Sequence, residues 1–329
     1  MKKRIAKDAF TKTIEKAVAT VKKDESARLD YMNLDEYLDA LVDEVNLGSH
    51  EIYKAGGKGL NVSKILSVLN IPSKAIAVLG GFTGLYIQDS FSKDPNIEMI
   101  PIPVDGMNRI NMKANYGKKA LCINGSGPVV NECTVQLLLD EIAKINADDI
   151  VIISGSMMHG FPEDFVVTLA QAIHQRNAKV VIDMEQITME QLKECKPYLI
   201  KPNLYELQLL FDNIEINESN IEEYLRKANA LGIENILVSL GKDGAVLSNA
   251  QGIFKLNQPR TVLVNKVGAG DAMLASFIGK LSQGYSFEEA LQWGGAAGNA
   301  TASKLEDITL RDIEGYLLQM KVKKVKESN

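Results

Sequence analysis

Chemistry is most concentrated in the stretch Val267-Gly268-Ala269-Gly270-Asp271. Two glycines and an alanine leave the backbone unshielded, and the helical composition of residues 272–278 places a helix start just after them. A helix N-terminus offers orphan N–H donors and partial positive charge, which suits a phosphate group. A carboxylate beside an anion site repels the anion. Asp271 is therefore either a helix cap or a general base for a group attacking that anion. Two further sets bear on the choice. Gly56-Gly57-Lys58-Gly59-Leu60-Asn61 is a glycine-rich turn before a helix, or a loop whose bare backbone lets a sugar approach while Lys58 and Asn61 offer directional donors. Arg109, Asn111 and Lys113 alternate, so they share one strand face. That face is a solvated edge or a phosphate site, to which the arginine fork is suited.

These sets need a scaffold. From residue 131 onward, amphipathic helices (131–145, 162–176, 221–231) alternate with short β-branched runs (150–154, 180–183, 198–201, 236–240). This rhythm predicts a parallel sheet covered by helices on both faces, with ligands at the carboxyl ends of its strands. Residues 75–79 add a strand, 108–124 a hairpin turning at Asn115-Tyr116-Gly117, and His50 to Ala55 a strand-like run, so the expected lid strands lie near 47–56 and 107–124. Helical spacing also marks 8–23 and 34–45, and the tail from residue 321 is a solvated basic end. At 329 residues and 46% hydrophobic, the chain can form one large α/β domain over 1–329.

Composition removes several classes. A net charge of −5 gives no footprint for nucleic acid or an anionic membrane, and no apolar run approaches a membrane span. Three cysteines without a pairing framework suit a reducing, cytoplasmic setting. His50, His159 and His174 share no metal-ligand spacing. A dinucleotide oxidoreductase would need a third glycine after Gly57-Lys58-Gly59.

Seven motifs occur in one order: Gly56 to Ser63, Gly80-Gly81-Phe82-Thr83-Gly84, Asn108 to Lys113, Asn124-Gly125-Ser126-Gly127-Pro128, Lys201-Pro202-Asn203-Leu204-Tyr205-Glu206, Ser239-Leu240-Gly241, and Val267 to Asp271. In this order they resemble the ribokinase-like phosphofructokinase B family of sugar kinases, over roughly residues 46–305, and most of all its 1-phosphofructokinase and tagatose-6-phosphate kinase branch. The resemblance implies a ribokinase-like parallel-sheet α/β sandwich with a small β-lid, through which a homodimer would form. It implies ATP-dependent phosphorylation of fructose 1-phosphate to fructose 1,6-bisphosphate. Tagatose 6-phosphate, or a non-catalytic sugar-phosphate-binding regulator, is the alternative. It gives Asp271 the base and Gly268, Ala269 and Gly270 the anion hole. Asp30, Gly56, Gly57, Lys58, Asn61, Arg109, Asn111 and Lys113 go to the phosphosugar, and Lys201, Ser239, Gly241, Gly244 and Asn299 to ATP. Asn203 and Glu206 would organise Mg²⁺, a hard cation that keeps its waters. The chain departs from the pattern at 1–30, where a lysine-rich, helix-like segment and Ser26-Ala27-Arg28-Leu29-Asp30 stand in place of a first strand. Lys266, Asn70 and Ser276 also replace smaller residues.

Overall fold

The computed structural model describes residues 52–116, 119–259, 261–265 and 267–325. The expected helices at 8–23 and 34–45, Asp30, His50 and Lys266 lie outside them. The chain divides into two compact units, Met1–Lys54 and Ala55–Asn329, and the second carries the fold.

A seven-stranded sheet dominates this unit. Four parallel strands, β5 (Ile150–Gly155), β6 (Lys179–Met184), β7 (Leu199–Ile200) and β8 (Asn235–Ser239), lie side by side. The sheet then turns antiparallel through β9 (Ala245–Asn249), β10 (Gly252–Leu256) and β11 (Val322–Lys324). Two smaller sheets accompany it: parallel β1 (Ser73–Leu79) with β2 (Ile97–Pro103), and the hairpin of β3 (Asn111–Tyr116) and β4 (Lys119–Asn124).

Alternation along the strands feeds two cores. Val181, Leu199, Leu237 and Leu247 face one cluster, which includes α1 (Lys58–Val68), α8 (Ala269–Ser282) and α9 (Phe287–Ala302). Val180, Ile182, Ile200, Ile236 and Val238 face the other, against α4 (Phe165–His174), α5 (Met189–Cys195), α6 (Leu204–Leu210) and α7 (Ile221–Ala230). A two-residue period splits apolar residues between opposite faces, so a continuous apolar run marks a strand buried on both. Among the described residues the remaining α-helices are α2 (Gly81–Ser92), α3 (Glu132–Ile142) and α10 (Leu310–Leu317).

The fold matches the α/β expectation, with three corrections. Asn115 and Tyr116, expected in the hairpin turn, are paired in β3 opposite Ala120 and Lys119. Residues 52–57 form neither strand nor helix, although Ile52 and Tyr53 are strand-favouring types; such propensity is context-dependent. The tail is not wholly solvated: β11 adds to β10, with Phe254 opposite Lys324.

Candidate active site

Helix α8 begins where Gly268 takes φ 80°, a left-handed conformation that glycine adopts without strain. No side chain caps this helix, so its first amides stay available, whereas Asn131, Thr188, Asn203, Ser286 and Thr309 cap five other helices. Wholly buried Leu274, Ala275 and Phe277 fix α8 in the core. Gly298 of α9 lies where a Cβ would come 3.2 Å from the Ala269 carbonyl, so the two helices pack closely at this turn.

Asp271 sits in the first turn of α8 and is 7% exposed. Asn61 Nδ2, from the first turn of α1, donates to Asp271 Oδ2 at 2.7 Å. Helix α1 also starts at an uncapped glycine, Gly57 (φ 145°), so two open helix N-termini meet at the carboxylate. Burial raises the Asp271 pKa above its ordinary value, helped by the neighbouring Asp183 charge; the Asn61 bond and the Lys201 and Lys58 charges oppose the rise. A carboxylate tuned upward but held by one donor is suited to accept a proton from a hydroxyl.

A second cluster lies alongside. Lys201, at the end of β7 and 6% exposed, places Nζ 3.3 Å from Asp183 Oδ1, and a Cβ on Gly270 would lie 3.3 Å from the same ammonium. Lys58 Nζ approaches Asp183 Oδ1 at 3.4 Å and Glu185 Oε1 at 3.7 Å. Burial works against the Lys58 ammonium, but the carboxylates of Asp183, Glu206 and Glu185 hold its pKa above the ordinary range. Lys58 thus faces carboxylates on the strand ends. Asp183 is the functional residue that the sequence pattern does not reveal: it is 1% exposed and its Oδ2 has no hydrogen-bond partner. An acidic residue closing the apolar run 180–183 is the signal that could have found it, because a charge is rarely buried without a purpose.

Asn203 and Glu206 form a capping box on α6: Asn203 Oδ1 accepts from the Glu206 amide at 2.9 Å, and Glu206 Oε2 accepts from the Asn203 amide at 2.8 Å. Burial raises the Glu206 pKa, against the Asn203 amide and the two lysines. No group of three or more His, Cys, Asp or Glu residues in metal-binding proximity exists among the described residues. The free oxygen of Asp183 and the Glu206 carboxylate are hard donors, and they fit a magnesium ion that retains most of its waters. Ser239 ends β8 and bridges Asn203. Beyond it, Gly241 and Gly244 take φ 57° and 91°, and a Cβ on Gly244 would strike the Leu256 carbonyl at 2.1 Å.

The lid residues form a separate group. In β3–β4, Met112 stands opposite Ile123, while Asn111 faces Asn124 and Lys113 faces Cys122. The hairpin therefore has one apolar and one polar face. Arg109, Asn111 and Lys113 are exposed, and the Arg109 Cβ lies beside Gly125 and Gly127. Asn108 fastens the lid's root: its side chain accepts from the Gly80 amide at 2.8 Å and donates to the Val78 carbonyl at 2.9 Å. Asn299 is buried in α9, with its amide group engaged inside the protein.

An uncapped helix start, a buried carboxylate beside it and lysines at the strand ends are what a phosphoryl-transfer site requires. Residues 25–313 match the model of the pfkB family carbohydrate kinases. The chain belongs to that family. It is an ATP-dependent carbohydrate kinase with the ribokinase-like fold. It is 35% identical to a 1-phosphofructokinase of Bacillus subtilis over 284 residues, covering 86% of this chain and 93% of the relative. It is 34% identical to a D-tagatose-1-phosphate kinase of Bacillus licheniformis, covering 80% and 86%. The crystal structure of phosphofructokinase-2 from Escherichia coli in complex with fructose-6-phosphate superposes with a TM-score of 0.77, covering 84% of this chain and 91% of that one, at 23% identity. At that identity the likeness concerns the fold. Among the described residues, no helix is long and apolar enough to cross a membrane.

Proposed function

We propose that this kinase transfers the γ-phosphoryl group of ATP to the 6-hydroxyl of fructose 1-phosphate, giving fructose 1,6-bisphosphate. The observation that carries the proposal is Asp271, buried at the uncapped start of α8 and held by Asn61. Asp271 takes the proton of the attacking hydroxyl. The amides of Gly268, Ala269, Gly270 and Asp271, with the Lys201 ammonium beside Gly270, stabilise charge on the transferring group. Gly56, Gly57 and Asn61 line the sugar, and Asn111 and Lys113, on the polar face of the hairpin, take its existing phosphate with Arg109, which precedes β3. Ser239, Gly241 and Gly244 cradle the nucleotide phosphates. Glu206 and Asp183 would hold Mg²⁺ through water, and the ion would supply positive charge against those phosphates. The apolar lid face, with Ile110, Met112 and Ile123 exposed, supports a homodimer formed through the lid.

The second reading is the epimeric ketose ester. Its support is the name of the Bacillus licheniformis relative, which points to tagatose 1-phosphate rather than tagatose 6-phosphate. Both 1-phosphates leave the 6-hydroxyl free and differ in one ring hydroxyl, which a hydrogen-bonding site discriminates strongly. Release of ADP from ATP and Mg²⁺ should be compared for fructose 1-phosphate, tagatose 1-phosphate, tagatose 6-phosphate, fructose 6-phosphate and free fructose. The highest kcat/KM is expected for fructose 1-phosphate. A higher value for tagatose 1-phosphate would select the second reading, and turnover of free fructose alone would remove the phosphate role of Arg109.

A further inference from the structure

The segment that leads from β10 to Gly268, described at 257–259, 261–265 and 267, precedes the α8 amides in the chain. One buried side chain on a neighbouring helix holds it. Asn299 of α9 is 3% exposed, and its Oδ1 accepts from Gln258 Nε2 at 2.5 Å and from Thr261 Oγ1 at 2.6 Å. Its Nδ2 donates to the Gly295 carbonyl at 2.8 Å and to Gln258 Oε1 at 3.3 Å. An asparagine amide has two donors and two acceptor lone pairs, and here all four are spent. The far end of the segment is tied to the same helix: the amides of Val264 and Asn265 both donate to the Ala302 carbonyl, at 2.8 and 3.1 Å. Nothing is left on the Asn299 side chain with which to bind a nucleotide.

We infer that Asn299 is a positioning residue, which latches the 257–267 segment to α9 through Gln258 and Thr261 and thereby aims the Gly268–Asp271 amides. This assignment rests on the proposed phosphoryl-transfer role of those amides. The latch itself can be tested without any substrate.

The test combines hydrogen exchange at the Val264 and Asn265 amides with steady-state kinetics, for Asn299→Ala, Thr261→Val and the double variant. Thr261→Val keeps the side-chain shape and removes one hydrogen bond, which corresponds to roughly a three- to tenfold change in a local equilibrium. Exchange at both amides is expected to quicken by about that factor in Thr261→Val and by more in Asn299→Ala. In both variants kcat should fall while KM for the phosphosugar holds. The double variant should be little worse than Asn299→Ala alone, because both substitutions remove the same link. Unchanged exchange in Thr261→Val, or additive losses in the double variant, would overturn the latch. So would a rise in KM for ATP confined to Asn299→Ala, which marks direct contact with the nucleotide. If Asn299→Ala does not fold, Thr261→Val and Gln258→Leu decide by the exchange criterion. Faster exchange without loss of kcat would keep the latch but remove the catalytic role of the amides it aims, and with it the inference as stated.

Discussion

Around Asp271 the polar side chains are buried or half-buried and joined: half-buried Asn61 holds the carboxylate, and half-buried Lys58 and buried Lys201 converge on buried Asp183. In the lid, Arg109 just before the hairpin and Asn111 and Lys113 on β3 stand exposed, and among the described residues no ion pair holds them. The first region is built from the ends of core helices and strands. The second is fastened by Asn108 and by two strands that, among the described residues, pair with each other alone. Phosphoryl transfer depends on charges that need not rearrange, which favours the first design. Capture of a doubly ended phosphosugar needs a surface that can move over it, which favours the second. Substitutions in the centre should therefore act on kcat, and substitutions in the lid on KM.

The largest effect is expected from Asp271→Asn, which should lower kcat by roughly 10²–10⁴ with little change in ATP affinity. It should also raise the melting temperature at neutral pH. The raised native pKa means that the folded protein binds this proton more tightly than the unfolded chain does, so stability falls as pH rises between the two values. Above that window the ionised carboxylate destabilises the fold, and asparagine removes the cost. The gain should vanish at pH values below the ordinary aspartate range. Calorimetry across pH checks the sign; a lowered melting temperature at neutral pH would show that Asp271 is also structural.

Arg109→Ala comes next. Losing a charged hydrogen bond to phosphate should raise KM for the phosphosugar by roughly ten- to a hundredfold while KM for ATP and kcat hold. Equal shifts for both substrates would place Arg109 outside the phosphate site and blur the division between lid and centre. A smaller effect is expected from Met112→Glu, which puts a charge on the apolar lid face opposite Ile123. Light scattering should show a shift from dimer toward monomer, with kcat reduced far less than in Asp271→Asn. A dimer that persists would move the interface away from this face.

Legibility in the sequence follows the same division. The Gly268-Ala269-Gly270 turn and Asp271 are local, so residue types alone reveal a helix start with a stray carboxylate. The polar face of the hairpin is plain from Asn111 and Lys113, whereas Arg109, expected on the same strand face, precedes β3, which begins at Asn111. Asp183 is not legible in that way, because its meaning comes from Lys58, 125 residues away, and from Lys201 on another strand end. Asn299 is misjudged for a similar reason: its partner Gln258 lies 41 residues away, and only the folded chain shows that its donors and acceptors are already spent. The run 52–55 has strand composition without strand structure, and the tail has solvent-exposed composition with a strand in it; in both cases pairing, not propensity, decides.

If buried, donor-held Asp271 is the base, its titration sets the acid limb of kcat/KM against pH. The active form is the carboxylate, so kcat/KM should fall as pH drops through a value above the ordinary aspartate range. Asn61 donates to the ionised form, so Asn61→Ala removes a bond that lowers the pKa and should move the limb to higher pH. A limb that stays in place when Asn61 is truncated would contradict the account.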